Sequence, residues 1–82
     1  MKTYKVIKVD WVDSCTASGW RDRGNLITRH PSHCVSCGIQ VRTEKGSIGV
    51  THSISDFDDA TDTIIIPRKA IQKIEKITTF KA

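Results

Sequence analysis

Residues 30 to 38 read HPSHCVSCG, with two histidines and two cysteines in nine positions. Cys34 and Cys37 have the C-x-x-C spacing with which a zinc knuckle aims two thiolates at one metal, and Gly38 follows directly. A tetrahedral site would need two more ligands from Cys15, His30, His33 or His52, and the usual second C-x-x-C is absent. Redox pairs share this spacing, but they normally open a helix whose first amides lower the thiolate pKa, and no helical pattern follows Cys37. Nucleophilic catalysis would need a cysteine, a histidine and an orienting acid. All three types occur, but without a nucleophile elbow or a phosphate-cradling glycine loop. The expectation is a protein that is not an enzyme, with no catalytic residue, metal or cofactor.

A second stretch, SGWRDRGNLITRH at 18–30, interleaves Trp20 with Arg21, Arg23, Arg29 and His30. An indole face stacks on a nucleobase, and a guanidinium forks onto phosphate with two parallel hydrogen bonds. Gly19 and Gly24 permit sharp turns and close backbone approach. If a hairpin brings in Arg42 and Lys45, and Pro67 presents Arg68 and Lys69, one basic surface results. The bland alternative for Trp20 is a cap over one end of a small core.

The elements that must position these groups follow from the chain's pattern. Eighty-two residues with 38% apolar and 27% charged side chains make a single globular domain, 1–82, near the lower size limit for an unstapled core. Three cysteines preclude a complete set of internal disulfides and suit a reducing cytoplasm. MKTYKVIKVD lacks the apolar core of a signal peptide, and no apolar run approaches a membrane span. The net charge of +4 is uneven: four aspartates and no base lie in 56–66, and five bases against Glu75 in 67–82.

YKVIKVDW at 4–11 alternates, with Ile7, Val9 and Trp11 on one face, and reads as a strand. A long excursion over 13–33 follows, with a short element near Leu26-Ile27 and a turn at Asp13-Ser14. CVSCGIQVRT is the second strand, with Val35, Cys37, Ile39 and Val41 assigned to the core. This register sends Cys34 and Cys37 to opposite faces and makes Cys37 a buried hydrophobe. Glu44-Lys45-Gly46 turns the chain into SIGVTHSIS, with Ile48, Val50, semi-buried His52 and Ile54 in register. An acidic loop at 55–62 leads to a short strand at 63–66, which Pro67 ends. Ile71, Ile74 and Ile77, three apart, fit neither a helix nor a strand cleanly. A 3₁₀ turn at 68–71 into a last strand explains the spacing, with an amphipathic helix as competitor. The sum is an all-β, small SH3-like barrel of four to five strands, with an OB-like barrel as the alternative.

Trp11, Asp13, Ser14, Gly19 and Trp20 form a W-x-D-S…GW order, continued by C-x-S-x-G at Cys34, Ser36 and Gly38 and an I-P-basic segment at Ile66, Pro67 and Arg68. This pattern resembles a group of small uncharacterised bacteriophage proteins, in which an aliphatic residue more often stands at the place of Cys37. The resemblance implies a phage or prophage origin and an SH3-like barrel, and it carries no activity.

Residues and resemblance together lead to the expectation of a non-enzymatic phage-type binding module in the host cytoplasm. Its ligand would be anionic and nucleotide-like, a nucleic acid or a sequestered host signalling nucleotide, with inhibition of host defence as the outcome. The ligand-binding residues would be Trp20, Arg21, Arg23, Arg29, His30, Arg42, Arg68 and Lys69. The alternative is a protein-interaction module that inhibits or adapts a host protein. No membrane is expected as partner. A second copy of the chain is allowed for, through sheet edges at residues 47–55 or in the C-terminal segment.

Overall fold

The structure is a computed structural model and describes residues 2–14, 19–27 and 30–82, without the side chains of Asn25 and Ile27. The elements are β1 (Thr3–Asp13), a one-turn helix α1 (Arg23–Ile27), β2 (Ser32–Thr43), β3 (Ser47–Thr51), β4 (Ser53–Ile54) and β5 (Ala60–Thr61). β6 (Ile64–Pro67), a 3₁₀ turn (Arg68–Ala70) and β7 (Ile71–Lys81) follow. The protein is all-β: β6-β3-β2-β1-β7 form one antiparallel sheet, and β4 and β5 pair as a separate ribbon.

The main sheet is open rather than a hydrogen-bonded closed barrel, since its edge strands β6 and β7 do not pair with each other. β6 spans only four residues and ends in Pro67, which has no N–H to donate. The chain then crosses to β7 through the 3₁₀ turn, where the Arg68 amide donates to the Gly46 carbonyl at 3.0 Å. No helix among the described residues is long and apolar enough to cross a membrane.

β1 follows its period of two. Ile7 and Val9 are fully buried, with Ile48, Val50 and Ile66 completing a core of β-branched side chains. Trp11 packs beside them with Ala70 and Ile71, and its indole Nε1 donates to Ser36 Oγ at 3.0 Å.

β2 also alternates, but the face assigned from sequence is reversed. Gly38, Ser36 and Cys34 lie opposite Ile7, Val9 and Trp11, and residues directly opposite share a face. The large side chains of β1 fill the core there, so β2 meets them with small ones. Val35 therefore stands 63% exposed, Cys37 is exposed too, and Val41 is the extra residue where the β2–β3 register shifts. At Gly38 the sheet leaves no room for a side chain. A Cβ there would sit 2.5 Å from the Thr51 carbonyl oxygen and 3.0 Å from a Val50 methyl.

β3 ends at buried Thr51, whose hydroxyl donates to the carbonyls of Ser53 and Thr61 and ties β4 and β5 to the sheet. His52 lies past this break and is exposed rather than semi-buried. Its Nδ1 is 2.8 Å from Ser53 Oγ and its Nε2 is 3.0 Å from Asp62 Oδ2.

The C-terminal segment is a strand, which removes the helical competitor. Its register against β1 shifts between Val6/Ile7 and between Asp10/Trp11, leaving Ile77 and Gln72 as extra residues. The extra Gln72 restores phase. Ile71 pairs with Trp11 and Ile74 with Val9, so two isoleucines three apart reach the same face.

Candidate functional site

The long loop leaves β1 at Asp13, whose Oδ1 accepts from the Ser14 amide at 2.8 Å, and returns at Ser32, the partner of Asp13 in the ladder. Beyond this neck, Gly19 adopts φ +72, a left-handed turn that suits glycine. Trp20 follows, 103% exposed, so none of the described residues covers either face of its indole. This overturns the reading of Trp20 as a cap on the core.

Arg21, Asp22 and Arg23 are exposed beside it. Asp22 precedes α1 and its carbonyl accepts from the Leu26 amide at 3.2 Å, while its carboxylate lies over Gly24. His30 is exposed at the loop's return, and Arg29 lies outside the described residues.

The other three expected ligand-binding residues gather elsewhere, around the turn between β2 and β3. Arg42 donates to Glu44 Oε2 at 2.7 Å, and Arg68 Nε donates to the Glu44 backbone oxygen at 2.8 Å. Lys69 is exposed on the 3₁₀ turn that follows. The seven described positions therefore sort into a loop group around Trp20 and a turn group around Glu44, the latter partly neutralised by the Glu44 carboxylate. The two groups sit at opposite ends of β2.

The cysteine pair does not converge. β2 runs unbroken through both residues, with Cys34 half-buried on the core side and Cys37 exposed on the other. The expectation that Cys37 is a core residue is corrected by the reversed face of β2. Among the described residues no three His, Cys, Asp or Glu side chains are grouped to hold a metal. Cys15 lies outside the described residues.

Sequence reasoning missed a clamp built by the acidic loop. Ser55 Oγ accepts from the amides of Phe57 and Asp59, and Asp58 sits at φ 65, a tight turn that thrusts its carboxylate toward the start of β1. Lys2 Nζ donates to Asp58 Oδ2 at 2.5 Å and Tyr4 Oη donates to Oδ1 at 2.8 Å, while the Tyr4 ring stacks on Phe80. Lys2, Tyr4 and Asp58, with Ile54, Ser55 and Asp56, line an open cleft of about 430 Å³. The local signal was Ser55 followed by alternating acids. The partner, more than fifty residues away, gave none.

The hydrogen bonds from Lys2 and Tyr4, and the charge of Lys2, hold the Asp58 carboxyl below the usual carboxylate range. The same contacts with Asp58 raise Lys2 and Tyr4. A depressed carboxyl stabilises the fold above its unfolded range and loses that contribution as pH falls through its folded value. Asp58→Asn keeps a side chain that tolerates positive φ while removing the charge. We expect it to melt below the parent protein at neutral pH, with the gap closing in acid below the ordinary carboxylate range. Melting curves of both proteins across that range check this, and a gap that stays constant with pH would refute it.

The chain is thus an all-β protein with a five-stranded antiparallel sheet, and it carries an aromatic and basic loop between its two longest neighbouring strands. Family models, curated proteins and solved structures yield no match to it.

Proposed function

We propose that the protein is a non-enzymatic binding module whose long loop takes an anionic, nucleotide-like ligand, with a nucleic-acid strand favoured over a free nucleotide. The observation that carries this reading is Trp20, fully exposed between a left-handed glycine and two exposed arginines. Each base has a π-face that an uncovered indole can stack on, and arginines nearby neutralise the adjoining phosphates. A sequestered small nucleotide would need enclosing walls, and the described residues set none against Trp20. The partly neutralised Arg42, Arg68 and Lys69 group serves as a secondary backbone contact.

The strand order, in which the last strand lies beside the first, supports reading the sheet as an opened SH3-like barrel, as do the long loop and the 3₁₀ turn. The resemblance to phage proteins then suggests action in the host cytoplasm, with host defence as the target process. A second reading, a module that inhibits or adapts a host protein, is supported by Leu26, 40% exposed in the same loop as Trp20.

Anisotropy titrations with a labelled single-stranded oligonucleotide, and separately with free nucleotides, test the proposal at several salt concentrations. If three arginines meet phosphates, log affinity should fall against log salt with a slope of about −2. Replacing Arg21, Arg23 and Arg29 together by alanine should weaken binding and flatten that slope. Affinity indifferent to salt, or unchanged in the triple variant, would favour the protein-interaction reading.

A further inference from the structure

We infer that residues 32–38 of β2 pair edge to edge, antiparallel, with the same segment of a second copy of this chain. β1 covers one side of β2 from Ser32 to Gln40, but β3 joins the other side only at Ile39. From Ser32 to Gly38, that second side carries no strand among the described residues. The ladder parts there because β3 ends at Thr51, against Gly38, and the chain turns off into β4. Alternate backbone N–H and C=O groups there meet no further strand among the described residues, which is the template that an added strand reads.

The outer edges of the main sheet are defended and this one is not. β6 is four residues long and ends in Pro67. β7 carries two bulges and the charges of Lys73, Glu75, Lys76 and Lys81. Bulges, prolines and lysines are the usual devices against edge pairing. SHCVSCG has none of them, and its only titratable side chains besides the two thiols belong to His33. Of residues 47–55, anticipated as an edge, the Ser47–Thr51 part is β3, which is paired on both sides.

Charge selects the occupant. A chain of net +4 repels its own copy except where the meeting surface is neutral, and this segment is neutral. The charges flanking it on the same face are already matched. Lys8 and Asp10 lie opposite Cys37 and Val35 on one side and opposite Glu75 and Lys73 on the other. Lys73 and Glu75 in turn form an ion pair at 2.5 Å. A two-fold axis normal to the sheet makes the segment its own complement, bringing exposed Val35 and Cys37 of each copy onto one shared face.

The test is sedimentation of the full chain under reducing conditions over a range of concentrations, so that thiol cross-links cannot contribute. A reversible dimer is expected. Val35→Lys/Cys37→Lys, checked for retained fold by circular dichroism, should weaken it by about tenfold or more, because like charges then face each other across the pair. Ile77→Lys on β7 should leave it intact. A monomer at every concentration overturns the inference, and so does a dimer that survives the double variant or that Ile77→Lys dissolves. Hydrogen exchange of the unmodified chain gives an independent readout. Amide protection in 32–38 must rise with protein concentration, and protection that does not change would also overturn it.

Discussion

Gly38→Ala should lower the melting temperature by more than any other single methyl added to a glycine of this sheet. The added Cβ would lie 2.5 Å from the Thr51 carbonyl oxygen, a backbone atom that cannot rotate away as a side chain does. Moving it would displace Thr51, whose buried hydroxyl anchors both strands of the β4–β5 ribbon. Overpacking in a rigid core costs about 1–3 kcal/mol. With a backbone obstacle on one side and the Val50 methyl on the other, the upper end applies, about 3 kcal/mol. For a domain of this size that is a drop of roughly 12–24 °C. Gly46→Ala is the control, because a Cβ there meets nothing within 4 Å, and it should melt close to the parent protein. Thermal unfolding followed by circular dichroism decides the matter. A Gly38→Ala shift no larger than that of Gly46→Ala would show that β3 yields at Thr51.

Trp20→Ala should do the opposite, leaving the fold intact while removing function. A side chain exposed on all sides contributes no packing, so its melting temperature should not move. If the indole stacks on a base, its removal weakens oligonucleotide binding by about 1–3 kcal/mol, roughly 5- to 150-fold. Trp20→Phe should recover much of the loss, because a phenyl ring still stacks. Isothermal titration of the three proteins against one oligonucleotide reads the series. A stable Trp20→Ala protein with full affinity would remove the loop from the binding surface. A Trp20→Ala protein that unfolds would return the residue to a structural role.

Local pattern carried much of the architecture. β1 alternates cleanly because its large residues on one face fill the core, so the sequence period and the buried set coincide. β2 has the same period, yet Val35 and Cys37 point outward while Cys34 and Ser36 meet the core face. Which face is buried depends on the volume that β1 has already taken, and that is a property of two strands together. The isoleucines of β7 obscured a strand because a bulge adds one residue to the count, and a spacing of three then does the work of two. In the loop, Gly19 turns as its position suggested. The Asp58 clamp was not, since Lys2 and Tyr4 reach it from the far end of the chain.

The placement of β1 also orders events in time. It is made before β2, which follows it, and long before β7, and it lies between the two in the sheet. A chain emerging at roughly 5–20 residues per second can fold β1, β2 and β3 as a meander early on. The other flank of β1 stays bare until Ile71 to Lys81 emerge. Ile74 then comes to lie beside Val9 and Ile71 beside Trp11. A stall in synthesis before β7 would leave this flank open, so the nascent sheet is most exposed to wrong partners in the moments before β7 arrives.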